Sequence, residues 1–323
     1  MNYRKIKAEN YRKTNFVLGF YVVLFLLIGL LGETIYISLM IPPEYGIVDA
    51  MFFTYEAILS GVHFPIFTAS MSGIAIVIIF ITIKFGNKIM LSGNQYTKLN
   101  DKEQRTQSEQ MVLNIVEELK ISSRVRFMPD VYIIDEPYMN AFASGWSEGN
   151  SMVAITRGLL DKLTRAEVEA VMAHEMGHIK NADVRLTLVV GVLTNVMVYA
   201  VDWIYYGMIG RGGGNSKAMQ QAKIVILVLK IFLPILTIVL QLYISRKREF
   251  LADAASVEFT GNQDAMVSAL QKISGDYEQN DYDLDETENQ TRRFANFFDA
   301  GSWFSTHPKV EKRIENLTGA KKR

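Results

Sequence analysis

Long apolar runs alternate with polar blocks along this chain, and the runs set its first-order architecture. Phe16 to Met40 is almost continuously apolar with Glu33 as its single charge, and Gly61 to Ile83 has none unless His63 is protonated. Leu186 to Ile209 holds one charge, Asp202, and Ile224 to Ile244 holds one, Lys230. Each run reaches the length of about 20 residues with which a helix crosses a ~30 Å hydrocarbon core. A single such run could be a buried soluble helix, but four in 323 residues point to a membrane protein. The predicted spans are therefore 16–40, 61–83, 186–209 and 224–244. A cleaved signal peptide is rejected for the first run. Its apolar core exceeds the usual ~7–15 residues, and no small-residue cleavage pattern follows.

Charge around the runs predicts their orientation. Arg4, Lys5, Lys7, Arg12 and Lys13 precede the first run, and Lys84, Lys88, Lys98, Lys102 and Arg105 follow the second. Between them lie Glu44, Asp49 and Glu56 with no Lys or Arg. Basic flanks mark the cytosolic side, so both termini and the polar block up to Arg185 are expected in the cytosol. Arg246, Lys247 and Arg248 mark the same side after the fourth run, although the loop before it also carries Arg211, Lys217 and Lys223. Asp202 and Lys230 fall at matching depths of the second hairpin, about 6–9 Å below its outer face. Unpaired intramembrane charges are costly, so these two are expected to face the bundle and pair.

The polar blocks carry shorter patterns. Met111, Val112, Ile115, Val116 and Leu119 have helical spacing within Gln107 to Leu119. Val131–Asp135, Asn140–Ala143 and Met152–Thr156 read as short strands of a small sheet, separated by turn residues. Thr164 followed by Glu167 forms a capping box that opens a helix, with Val168, Val171, Met172, Met176 and Ile179 as its apolar stripe. A further helix is expected from near Ser245 through Ala255. Asp276 to Gln290 has seven acidic residues and no basic one, and reads as a mobile solvated segment. The expected division is a cytosolic segment at 1–15, a span pair in 16–85 and a first catalytic part at 86–185. A second hairpin at 186–244 and a second catalytic part at 245–323 complete it.

Composition narrows the chemistry. A formal net charge of zero gives no electrostatic attraction to nucleic acid, so no such partner is expected. The absence of cysteine removes disulfides, thiolate metal sites and a cysteine nucleophile. Histidine is confined to His63, His174, His178 and His307. Two of these four form His174-Glu175-Met176-Gly177-His178, which places both imidazoles on one helix flank a turn apart. That spacing lets both reach one ion, with Glu175 beside it as general base. A catalytic zinc usually takes a third protein ligand and leaves one position for water. By residue type His307 and His63 qualify, but His63 falls at the outer start of a span. Glu249, just after the fourth run, is the better placed, with Asp253 one helical turn on as a carboxylate able to orient a ligand imidazole. An ordinary surface pairing of Glu249 and Asp253 with Arg246 and Arg248 is the competing reading.

His174–His178 followed by Glu249-Phe250-Leu251-Ala252-Asp253 resembles the HtpX heat-shock protease family, which is related to the CAAX prenyl proteases. Asn140-Ala141-Phe142-Ala143-Ser144-Gly145, His178 to Asp183, and Ser305-Thr306-His307-Pro308 through Arg313 resemble its other motifs, so the likeness covers nearly the whole chain. The resemblance implies one zinc ion per chain with Glu249 as third ligand. It places Asn140 near the substrate, and Asn140, Ala141, Phe142 and Ala143 read as an exposed edge strand that an extended peptide can join, since a plain core strand would need no Asn. It also places His307 and Arg313 near the substrate, where either would steady a developing oxyanion. His307 as a helix cap beside Pro308 is the plainer alternative.

The expected fold class is a mainly α integral membrane protein. It has four transmembrane helices and an α+β zincin-like (gluzincin) catalytic domain with a small β-sheet. The expected function is zinc endopeptidase action at the cytosolic face of a bacterial inner membrane, with misfolded or damaged membrane proteins as substrates. Two other classes compete. A metal-dependent scaffold that binds unfolded segments without cutting them has no need of Glu175. A transporter using Asp202 and Lys230 lacks a visible pair of broken helices.

Overall fold

The computed structural model describes residues 2–210, 216–243, 247–280, 282 and 308–319. It is mainly helical with a small mixed sheet, and it divides into two compact units. One is formed by Met1–Thr14, Thr82–Gly191 and Leu240–Arg323, the other by Asn15–Ile81 and Val192–Val239. The unit boundaries fall inside long helices.

Three long helices, α1 (Tyr3–Ser38), α3 (Ile66–Leu91) and α7 (Val184–Gly210), are apolar and long enough among the described residues to cross a membrane. The fourth predicted span falls in α8 (Lys217–Tyr243), a helix of 27 residues. In the span-bearing unit, Val17, Tyr21, Phe25 and Ile28 of α1 are buried at helical spacing, whereas Phe16, Val23, Leu27 and Leu30 stay exposed. This inverts a soluble helix, since the outward side is as apolar as the inward one. Gly29 lets α3 approach closely, because a Cβ there would lie 2.7 Å from the Thr68 Cα.

Three polar contacts fasten the same unit. The Tyr21 and Thr194 hydroxyls lie 2.5 Å apart. Lys230 meets Asp202 at 2.7 Å, which is the pairing expected from their matched depth. Glu33 is fully buried, accepts the main-chain N–H groups of Phe67 (2.9 Å) and Thr68 (3.4 Å), and binds the His63 ring. It thereby caps the N-terminus of α3, where a carboxylate satisfies otherwise orphaned donors.

Two features of the first span pair depart from expectation. The second span begins at Ile66 rather than Gly61, because residues 60–65 form a turn with Gly61 at φ 72°. The connection holds a helix that periodicity had not revealed, α2 (Ile47–Leu59). The segment 1–15 belongs, as far as Thr14, to the unit that holds Thr82–Gly191. It is the start of α1, and Asn10 donates to the Asn181 carbonyl (2.9 Å) while Lys7 meets Glu148 (2.5 Å).

The other unit is built on a four-stranded sheet of order β1-β2-β4-β3, with β1 at Tyr96–Lys98, β2 at Asp130–Ile134, β3 at Ala141–Ser147 and β4 at Asn150–Thr156. β2 and β4 are parallel, and β1 and β3 are antiparallel edge strands. Val131, Ile133, Ala141, Ala143, Val153 and Ile155 share one face by the period of two and enter the core. They meet α4 (Gln107–Ser123) through Val112, Val116 and Leu119, and α6 (Arg165–Asn181) through Val168, Val171 and Met172. Thr106 and Glu109 box the start of α4, and the predicted box of Thr164 and Glu167 opens α6, with Thr164 N–H to Glu167 at 2.8 Å. A short α5 (Arg157–Lys162) lies between the sheet and α6.

The C-terminal part supplies α9 (Lys247–Thr260), α10 (Gln263–Gln279) and α11 (Val310–Thr318). The acidic segment needs correction at its start. Asp276 to Gln279 complete α10, and Asp276 pairs with Lys162 at 2.5 Å and accepts from Tyr282 at 2.7 Å. One-signed composition misled because the neutralising lysine comes from another part of the chain. Residues 281 and 283–290 lie outside the described residues.

Candidate metal centre

α6 and α9 lie side by side, and the sequence makes that approach close. Gly177, inside the His174–His178 motif, faces α9, where a Cβ would lie 3.0 Å from the Ala255 Cβ and 3.4 Å from the Ala252 Cα. Ser256 donates to the Ala170 carbonyl at 2.6 Å and fixes the register of the pair. In that register Glu249, at the start of α9, faces His174 and His178.

Three ligand-type side chains converge there. His174 Nε2 lies 3.6 Å from Glu249 Oε2, His178 Nε2 lies 3.7 Å from Glu249 Oε1, and the two Nε2 atoms are 3.1 Å apart. Ligands held at about 2.0–2.1 Å in tetrahedral geometry sit roughly 3.3–3.4 Å from each other, so this spacing suits one small ion. His63 is not part of the cluster, being bound to Glu33.

The far side of each imidazole is also accounted for. His174 Nδ1 is 2.9 Å from Asp253 Oδ1, and His178 Nδ1 is 3.1 Å from both Asp183 oxygens. Each carboxylate fixes the proton on Nδ1 and so turns an Nε2 lone pair toward Glu249. Two nitrogen lone pairs facing each other beside a carboxylate repel unless a cation sits among them. The donor set therefore fits a divalent metal. Burial disfavours the His178 cation, yet Asp183 and Glu249 outweigh this and push its pKa up to about 9. The pocket thus favours positive charge.

Asp253 is itself held by Arg313 of α11, whose Nε and Nη2 donate to its two oxygens at 3.0 and 2.6 Å. Burial opposes the Asp253 charge, but Arg313 and His174 keep its pKa below the usual value. Arg313 is almost fully buried and its Nη2 reaches His174 Nδ1 at 3.4 Å. Its guanidinium thus sits on the Nδ1 side of that imidazole, behind the convergent atoms. In this geometry the guanidinium is engaged with Asp253. Glu175 is buried on α6, and its charge acts on both His178 and Arg313.

The structure brings His174, Glu175, His178, Glu249, Asp253 and Arg313 into one neighbourhood. β3 is an edge strand, but Asn140, Ala141, Phe142 and Ala143 are all buried, and the Asn140 side-chain oxygen accepts the Ala141 N–H at 2.8 Å. His307 lies outside the described residues. Asp183 was not assigned a role from sequence. The helix ends at Ala182 in the left-handed region (φ 58°), and this turn brings Asp183 back under His178. The available signal was an acid just past the end of a helix whose last turn carries a histidine.

Comparison with known proteins places this geometry. The model of peptidase family M48 matches residues 102–321, which covers β2, β3 and β4, both helices of the cluster and α11. This chain belongs to peptidase family M48. A protease HtpX homolog of Helicobacter acinonychis is 40% identical over 319 residues, covering 98% of this chain and 99% of that one. The corresponding protein of Ligilactobacillus salivarius is 34% identical over 326 residues, with 98% and 99% covered. A crystal structure of S. mikatae Ste24p aligns with a TM-score of 0.43 and 18% identity, over 75% of this chain and 56% of that one. With its apolar helices, the M48 peptidase is a multi-pass membrane metalloprotease that acts on protein substrates, and its family implies a metal.

Proposed function

We propose that this M48 peptidase is a zinc endopeptidase, with one zinc ion held by His174, His178 and Glu249 and with Glu175 as general base. The observation that carries the proposal is the convergence of two Nε2 atoms and a carboxylate while each Nδ1 rests on a buried aspartate. Zinc bound there would supply Lewis acidity toward the scissile carbonyl and a water of near-neutral pKa.

The residues of the chain do the rest. Glu175 takes the proton of the attacking water and passes it to the leaving amine, a contribution typically worth about 10²–10⁴-fold. Asp253 and Asp183 hold the imidazoles in register, and Arg313 holds Asp253. His307 is the proposed donor to the developing oxyanion. Asn140 to Ala143, at the start of a strand that is an edge among the described residues, would line up an extended substrate by main-chain pairing.

Four spans, α1, α3, α7 and α8, carry the enzyme in a bacterial inner membrane. Their basic flanks support a cytosolic position for the catalytic parts, 86–185 and 245–323. His178 lies only a few residues from the start of α7, and Glu249 only a few after the end of α8. At 1.5 Å per residue this keeps the reaction near the membrane surface, which favours membrane proteins with loosely folded cytosolic segments as substrates.

The test compares wild type with Glu175→Gln for zinc content and for degradation of casein. The expected result is one zinc in both proteins and a loss of at least about 10²-fold in cleavage for the variant. Undiminished cleavage by a zinc-loaded variant would overturn the mechanism. Glu249→Gln should lose metal on dialysis far faster than Arg248→Ala, and equal retention would remove Glu249 from the ligand set.

A further inference from the structure

Helix α2 is the feature that neither the sequence pattern nor the catalytic chemistry accounts for. It has 13 residues, about 20 Å at 1.5 Å each, and cannot cross a hydrocarbon core of about 30 Å. At 100° per residue all side chains but Phe53, which is exposed between the polar stripe and the inward side, sort into three sectors. Ala50 and Thr54, with Ile47, Ala57 and Ile58 beside them, form the side turned into the protein. Asp49, Glu56 and Ser60 form an exposed polar stripe. Between these two sectors Val48, Met51, Phe52, Tyr55 and Leu59 occupy an arc of about 100°, each 51–68% exposed.

Five large apolar side chains on one short helix are more than scattered surface apolar residues. The turn after the helix adds Val62 and Phe64, both exposed. The helix is also held at both ends. The Ile47 N–H donates to Gln221 Oε1 at 2.7 Å, within the first turns of α8, and Lys217 N–H donates to the Pro43 carbonyl at 3.0 Å. At the other end His63 binds Glu33, five residues before the end of α1 and so about 8 Å along its axis. These anchors match the depth of about 5–10 Å at which amphipathic helices settle in the headgroup–acyl boundary.

We propose that α2 is an interfacial helix whose Val48–Met51–Phe52–Tyr55–Leu59 face is embedded in the lipid leaflet at the loop end of α1 and α3. Lipid is the occupant because the neighbouring ends of the two spans are exposed in the same way, through Leu39 and Met40 of the α1 end and Ile66 and Phe67 of α3. The face therefore continues a surface whose partner is already the bilayer. From Glu44 to Phe64 there is no Lys or Arg, so the contact is apolar and does not select anionic headgroups. The acidic stripe points the remaining side to water.

The chain contains no cysteine, so single cysteines label without background. V48C, D49C, F52C, Y55C, E56C and L59C, each in the full chain, would carry a nitroxide in vesicles of phosphatidylethanolamine and phosphatidylglycerol. Casein cleavage by each labelled protein checks that it is folded. The expected result is collision with oxygen several-fold higher than with a water-soluble nickel chelate at 48, 52, 55 and 59. The ratio should be reversed at 49 and 56, and the pattern should persist when phosphatidylglycerol is omitted. High nickel accessibility at all six sites would mean that the face lies in water. Low accessibility to both reagents at 52 and 55 would mean that a protein segment, another chain or a second copy, covers it. Either outcome overturns the proposal.

Discussion

In the sheet-bearing unit the buried charges are nested, whereas in the span-bearing unit buried polar groups act as single fasteners. Around the metal centre Arg313 holds Asp253, Asp253 holds His174, and His174 meets His178 and Glu249. In the spans Glu33 alone ties α1 to Phe67, Thr68 and His63 at the start of α3, and Tyr21 ties α1 to α7. A nested set leaves a charge stranded in a low-dielectric interior when any member is removed. A fastener leaves a polar group that can find another partner. Buried polar groups thus specify a site in one unit and a helix register in the other, and the cost of losing one should differ accordingly.

The sharpest test is Arg313→Met. It strands the Asp253 carboxylate, and breaking a buried pair in this way costs about 3–5 kcal/mol. Denaturant unfolding of the purified protein should show that loss, while Arg313→Lys should recover part of it. Unchanged stability in both variants would break the contrast at its stronger end. The matching experiment in the spans is a double-mutant cycle on Glu33→Ala and His63→Ala. Interhelical polar contacts in membranes are worth roughly 1–2 kcal/mol at most, so the coupling should fall in that range. A coupling as large as the Arg313 effect would erase the distinction.

The smallest expected effect is a pH dependence at the start of α6. Burial works against the charge on Glu167, but Lys272, Ser268 and Thr164 more than offset it and lower its pKa from 4.5 to about 2. Its stabilisation is therefore fully present above about pH 4.5 and is lost as pH falls toward 2. The stability gap between wild type and Glu167→Gln should narrow across that window, followed by denaturant midpoints. A constant gap would show that the carboxylate charge does not anchor α6.

Much was legible because it is written locally. The spans follow from unbroken apolar length, and the start of α6 follows from Thr164 and Glu167 at capping distance. The strands at 131–135 and 152–156 came within a residue or two of β2 and β4, since their alternation is intrinsic. Misplaced elements had weak local signals. In α2 the apolar residues surround most of the helix, so no stripe stood out, and α10 was partly hidden by an acidic run whose partner, Lys162, is far away in sequence.

By itself, then, the sequence determined the membrane class, the helix carrying His174, Glu175 and His178, and the type of chemistry that two histidines a turn apart can support. Tertiary structure decided which distant groups complete that chemistry. Glu249 competes with His307, His63 and a plain surface pairing until Gly177 lets α9 pack on α6, and Asp183 has no evident role until Ala182 turns the chain. Arg313 read as a residue near substrate, and its contacts with Asp253 and His174 emerge only once α11 is placed. The reason is physical: spacing along a helix fixes which side chains share a face, but convergence of groups from separate helices depends on how closely backbones pack.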